Sequence, residues 1–307
     1  MVICADCKIL NKIFSLINLS GNLRGMLWMT LSGAVFAANY AIIRFLSVDF
    51  HVFELVFFRN LFGLLVLAPF LWRSRHEIRI PKHPGIIVMR GFLQAGSSSL
   101  WFYGVTVIPL VTATSLMLIE PIIGSILAIF FLKEPNDPKR WLPVFVGFIG
   151  AMIIVRPGFI EFSIGVGFIL TAAFMWSGFL LLGKVQSRDD PTVVVIAYSS
   201  ALTVLLSLVP ALFYWVTPTL EQLILLLILG SIATFAYFCI TNAYKTGDVT
   251  IVSPLTFMRT IFAAVVGYFI FSEIPEIWIW IGAAIIVVAA TYLARIEFKN
   301  DRIRNSN

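Results

Sequence analysis

Four ionisable side chains lie deep inside apolar stretches of this 307-residue chain: Arg59 in Phe57-Phe-Arg-Asn60, Arg90 heading Arg-Gly-Phe-Leu-Gln94, Glu120 in Leu118-Ile-Glu-Pro121, and Arg259 in Phe257-Met-Arg-Thr260. Left uncompensated in hydrocarbon they would cost on the order of 12 kcal/mol, about the whole stability of a typical protein. They must therefore pair with one another, line a wet cavity or meet a ligand. Glu120 and Arg259 each fall about ten residues into an apolar span, which puts both roughly 15 Å deep at the helical rise. An acid and a base at one depth can bind a zwitterion, exchange a proton, or form a salt bridge that only locks two helices together. All three readings stay open from the residues alone.

The elements that carry these groups follow from composition. At 60% hydrophobic and 12% charged residues, with a mean hydropathy of +0.96, the chain is an all-α integral membrane protein. Ten spans are predicted, at 24–45, 54–72, 84–106, 110–132, 141–155, 165–184, 192–214, 219–241, 249–271 and 277–294. Short connections leave no room for a soluble catalytic domain. The spans divide into an extension (1–23), two five-helix repeats (24–155 and 165–294) and a basic tail (295–307).

The halves read alike about 140 residues apart. Phe36 and Arg44 answer to Trp176 and Lys184, Pro69 to Pro210, and Val111-Thr-Ala-Thr-Ser115 to Val249-Thr-Ile-Val-Ser253. The close Phe131-Leu-Lys-Glu134 answers to Ile270-Phe-Ser-Glu273, and Glu120 and Arg259 are near-equivalents. Five crossings per half is an odd number, so the second copy is inverted. That architecture gives carriers one central site with two related exits. Lys8, Lys12, Arg24, Arg73, Arg75, Lys133, Lys184, Lys245 and Arg295 gather on one side if both termini are cytoplasmic, leaving Arg156, with Arg44 at a span end, for the opposite side. The net charge of +6 then faces headgroups, and no nucleic-acid partner is needed to explain it.

Other chemistry is thin. Cys4-Ala-Asp-Cys7 has no second pair, Cys239 lies in a span, and His51, His76 and His83 are in or near loops, so no metal or cofactor is expected. No phosphate-binding loop or hydrolase motif occurs, which leaves a coupling proton or an exchanged solute to drive uphill transport. Arg59 can snorkel or pair with Glu54, and Arg90 can reach cytoplasmic headgroups; either can instead offer a guanidinium to a substrate carboxylate. Pro121 and Pro254 bend their helices and free carbonyls, while Gly91, Gly96, Ser97, Ser98, Ser99 and Gly104 give the third span a face for close packing. Trp101, Tyr103, Trp176, Tyr198 and Tyr237 are the aromatic cavity candidates because each carries a polar atom that needs a partner at depth.

Over residues 24–295 the chain resembles the drug/metabolite transporter superfamily, and within it the EamA-type ten-helix carriers. The resemblance rests on the doubled unit, on Phe36-Ala-Ala-Asn39-Tyr-Ala-Ile-Ile-Arg44, on Tyr103-Gly-Val-Thr-Val-Ile-Pro-Leu-Val-Thr-Ala-Thr-Ser115, and on Asn242-Ala-Tyr-Lys-Thr-Gly-Asp248. It implies that spans one to four and six to nine surround a central cavity, with the fifth and tenth peripheral. Phe53-Glu-Leu-Val-Phe-Phe-Arg59 and Arg140-Trp-Leu-Pro-Val-Phe-Val-Gly-Phe-Ile-Gly150 look closest to a bacterial branch that includes S-adenosylmethionine uptake carriers. Glu120 departs from the general family pattern. The expectation is a bacterial inner-membrane secondary transporter of a small organic zwitterion, with an exporter of amino acids, metabolites or toxic compounds as the alternative.

Overall fold

The computed structural model describes residues 21–73, 84–107, 116–117, 119–134, 138–155, 164–271 and 277–306. Among these residues the regular structure is all helical: α1 (Gly21–Leu46), α2 (Val52–Arg73), α3 (Pro84–Val107), α4 (Glu120–Leu132), α5 (Pro138–Val155), α6 (Ile164–Gln186), α7 (Thr192–Phe213) and α8 (Leu220–Thr246). The ninth crossing is broken into α9 (Val249–Val252), a 3₁₀ segment (Ser253–Phe257) and α10 (Met258–Phe271). Finally, α11 (Ile277–Ser306) runs on through the basic tail. Cys4, Cys7, His76, His83, the run from Val111 to Ser115, Arg156 and Glu273 lie outside the described residues.

Local signals explain several ends. Thr219 and Gln222 form a reciprocal capping box that starts α8. Lys133 takes the left-handed conformation (φ 54°) that ends α4 and returns its N–H to the Ala128 carbonyl. Pro254 lies in the 3₁₀ segment, where its missing N–H breaks the ninth helix rather than merely bending it. The described helix of the fourth crossing opens at Glu120 with Pro121 next, after a turn at Ile119, and most of the expected span before it lies outside the described residues.

Residue contacts fix the directions of the crossings. Glu120 meets Arg259, Ser125 meets Ser253 and Glu134 meets Val249, so α4 is antiparallel to the ninth crossing. The ninth crossing is parallel to α1, where Gly25 meets Val252, Met29 meets Thr256 and Gly33 meets Arg259. Glu120 also meets Ser177 and Glu134 meets Lys184, which makes α4 parallel to α6. The consequence is that α1 and α6, equivalent elements of the two halves, run in opposite directions. Exchange of the halves also preserves the packing: α1 on α8 maps to α6 on α3, α8 on α2 to α3 on α7, and α5 on α11 to itself. The protein is a ten-crossing membrane fold of two inverted five-helix repeats.

Polarity is inside out relative to a soluble protein. Asn39, Asn60, Arg90, Gln94 and Glu120 are buried, while Trp72, Phe130, Phe131, Phe213 and Phe269 are exposed on the outer surface, as a hydrocarbon solvent demands. Among the described residues, six helical segments are long and apolar enough to cross a bilayer on their own. The third falls outside that set because Arg90, Gln94 and Ser97–Ser99 interrupt its hydropathy.

Candidate functional site

The two helix breaks meet at the centre of the molecule. Arg259 abuts Gly33, twelve residues into the 26-residue α1, and so lies roughly 18 Å from either end of that helix. Its Nη2 stands 3.5 Å from Oε2 of Glu120. The carboxylate is 1% exposed, and the indole of Trp176 faces it. The other carboxylate oxygen, Oε1, has no hydrogen-bond partner. A buried, half-satisfied carboxylate is expensive, so this oxygen is the strongest sign of a group built to receive something.

Around the pair stands an aromatic wall. Tyr237 contacts Phe36, Trp176 and Phe179 at ring-centroid distances of 5.8, 6.2 and 6.2 Å, and the Arg259 guanidinium lies 6.0 Å from the Phe36 ring. Arg59 reaches this wall from α2: its Nη2 donates to the Tyr237 hydroxyl at 3.5 Å, while its buried Nε has no acceptor. Arg59 does not pair with Glu54. That carboxylate accepts from the backbone N–H groups of Val216 (2.7 Å) and His51 (3.3 Å) and pins a loop instead. Glu120, Arg259, Arg59, Trp176 and Tyr237 thus converge from α4, α10, α2, α6 and α8.

Three other candidates sit differently. Arg90 is 2% exposed, enclosed by protein rather than turned toward headgroups. It donates to the carbonyls of Val195 (2.7 Å) and Phe179 (3.4 Å) and to Gln186 Oε1 (3.3 Å), with its guanidinium 4.5 Å from the Phe179 ring. Those bonds make it a clamp joining α3 to α6 and α7. Tyr103 is 55% exposed and packs edge-on against Phe168 at the periphery, which corrects its reading as a cavity residue. Trp101 is half-buried, between the levels where Ser97 meets Ala172 and Gly104 meets Ile169, away from the Trp176 layer.

The prolines act through their carbonyls and breaks. The Pro121 carbonyl accepts from the hydroxyls of Ser125 (2.8 Å) and Ser253 (3.2 Å), and the Glu120 carbonyl accepts from Ser177 (3.2 Å). The carbonyls of Glu120 and Pro121 are therefore satisfied by protein. At one end of the bundle Glu134 forms a second charged cluster that sequence reasoning left unpaired. It accepts from Lys184 Nζ (2.9 Å), from the N–H groups of Val249 (2.9 Å) and Thr250 (3.1 Å), and from the Thr250 hydroxyl (3.2 Å). Burial opposes its charge, but the Lys184 ammonium and these donors outweigh burial and hold the carboxyl below its ordinary value. Lys184 also donates to the Gly247 carbonyl at 2.7 Å. The signal was present in the sequence, since Glu134 and Lys184 both stand at span ends on the same side.

A family model described as EamA-like transporter family matches residues 23–156 and again 163–295. The chain belongs to the EamA-like transporter family. An S-adenosylmethionine uptake transporter of Rickettsia prowazekii is 31% identical over 91% of this chain and 95% of its own. A riboflavin transporter of Vibrio cholerae is 28% identical (91% and 96% covered), and a pseudopaline exporter of Pseudomonas aeruginosa 26% (89% and 96%). A crystal structure that is 19% identical superposes with a TM-score of 0.77 over 91% of this chain and 98% of that one, a likeness in fold. This EamA-like protein is a multi-pass membrane transporter, not an enzyme.

Proposed function

We propose that this EamA-like protein is a secondary active carrier of the bacterial inner membrane, with both termini cytoplasmic, that binds an amino-acid-like zwitterion at the Glu120–Arg259 centre and works by alternating access. The observation that carries the reading is the unpartnered Oε1 of a buried Glu120 that faces a guanidinium beside an aromatic wall. A substrate ammonium or sulfonium would satisfy Glu120, a substrate carboxylate would satisfy the free Nε of Arg59 beside Arg259, and an apolar or aromatic body would stack on Trp176, Phe36 and Tyr237. S-adenosylmethionine has each of these parts, and it is the solute named for relatives that cover most of the chain. Binding of the cation would draw Glu120 away from Arg259 and so loosen the contact between the inverted halves, which couples occupancy to movement. Glu120 is also the group that would carry a coupling proton; exchange for another solute would need none.

Export is the second reading, favoured by one relative named as an exporter. Thermal shift of the purified protein against amino acids, S-adenosylmethionine and nucleosides tests binding without assuming a direction. Saturation to 100 times Kd stabilises by about 2.7 kcal/mol, a readily measured shift. The shift is expected with S-adenosylmethionine and is lost in Glu120→Gln. No shift with any zwitterion would contradict the proposal.

A further inference from the structure

Three buried amide side chains stand beside this centre. Asn39 donates from Nδ2 to the Leu229 carbonyl at 3.1 Å, and Asn60 donates to the Val56 carbonyl at 2.8 Å. The Oδ1 of Asn60 accepts from Gln94 Nε2 at 3.4 Å. Because two backbone carbonyls take the NH₂ groups of Asn39 and Asn60, the amide orientations are set by the network. Two oxygens are then left over: Asn39 Oδ1 and Gln94 Oε1 are buried and accept nothing.

The amides adjoin the charged centre. Asn39 is one turn from Phe36 on α1; it meets α8 at Leu229, while the backbone of Arg59 meets α8 at the next residue, Gly230. Asn60 follows Arg59 directly, and Gln94 on α3 lies near the level of Trp176 and Phe179, since Leu93 packs on Gly178 and Gly96 on Met175. The inverted duplication does not account for the amides. At the spacing that relates Phe36 to Trp176, Asn39 is answered by Phe179, and Gln94 by Thr234.

We infer that Asn39, Asn60 and Gln94 form an acceptor-lined subsite for an N–H donor group on the substrate, such as the exocyclic amine of a heterocycle. The inference rests on the zwitterion reading above and extends it: the charged end lies on Glu120, Arg259 and Arg59, and the donor end lies on the amides. Leftover acceptors select for donors, because a ligand that brings a carbonyl instead leaves both partners unpaired.

The test compares S-adenosylmethionine, its deaminated counterpart with a ring carbonyl in place of the exocyclic amine, and methionine, by thermal shift and competition on the full-length protein. Wild type is expected to prefer the aminated compound by about tenfold, the value of one well-placed hydrogen bond to a buried site. In Asn39→Leu and Gln94→Leu that preference falls to within about twofold, while methionine binding holds. In Glu120→Gln all three compounds weaken together. Preference unchanged in both Leu variants would overturn the subsite and leave the zwitterion reading standing. Binding that requires Na⁺, with the requirement lost in Gln94→Leu, would overturn it by assigning the amides to a cation. Wild type that binds none of the three would overturn both readings.

Discussion

The hydroxyls of Ser125 and Ser253, one from each half of the chain, stand 3.1 Å apart and both reach the Pro121 carbonyl. This brace ties the two helix breaks together one turn from Glu120. It lets α4 and the ninth crossing carry opposed charges at a fixed separation without a continuous helix through either. Ser253→Val removes the cross-half bond at nearly constant volume. The expected cost is about 1 kcal/mol, read as a lower melting temperature, and the loss should grow when Ser125→Ala is added, because Ser125 is the hydroxyl then left on the Pro121 carbonyl.

Glu134 gives a pH dependence of known sign. Its carboxyl is held below the ordinary value of 4.5 in the folded protein, so its stabilising contribution is complete above that value and is lost as pH falls through the lower folded one. Melting temperatures of wild type and Glu134→Gln should therefore differ by a constant amount above about pH 5 and converge in more acidic buffer. At neutral pH Glu134→Gln is expected to cost on the order of 2 kcal/mol, since it leaves the largely buried Lys184 without its counter-charge. A gap that widens on acidification would refute the assignment.

Arg90 and Arg259 should separate stability from transport. Removing Arg90 strips the donors from two carbonyls and Gln186 and empties the space beside Gly183, so Arg90→Ala is expected to cost about 3 to 5 kcal/mol and to lower folded yield. Arg90→Lys should not restore it, because one ammonium cannot span that fork. The double variant Glu120→Gln/Arg259→Gln, which leaves no unpaired buried charge, should fold at near wild-type yield and lose transport. Comparable losses of yield in both variants would contradict this division.

Much of this was legible before any coordinates. The doubled pattern, the ten crossings and the equivalence of Glu120 with Arg259 are properties of spacing, and spacing survives in three dimensions because each helix rises by a fixed amount per residue. What was not legible depends on neighbours from elsewhere in the chain. Nothing near Arg90 announces that the Val195 carbonyl, 105 positions away, will accept its proton. Tyr103 carries the same residue-type signal as Tyr237, yet one faces outward and the other inward, because the apolar surface of a membrane helix gives little periodic contrast between lipid and core. The isolated amides Asn39, Asn60 and Gln94 were the signal passed over. A lone polar residue in an apolar run is costly in lipid, and Asn39 falls one turn from Phe36.

Gly230 tests how closely α2 and α8 approach. A Cβ there would stand 2.8 Å from the Gly63 nitrogen and 2.9 Å from the Arg59 carbonyl, both backbone atoms that cannot swing aside. Gly230→Ala is expected to destabilise by about 1 to 3 kcal/mol and to weaken transport by displacing Arg59 from Tyr237. Gly167→Ala, which meets open space, is the matched control with little effect on either.

The most direct test is counterflow of labelled S-adenosylmethionine in proteoliposomes preloaded with unlabelled solute. One central site reached alternately from two faces should make internal solute accelerate the entry of label in wild type, and Glu120→Gln and Arg259→Gln should abolish that acceleration while remaining folded. Undiminished acceleration in both variants would contradict a substrate site built on this pair.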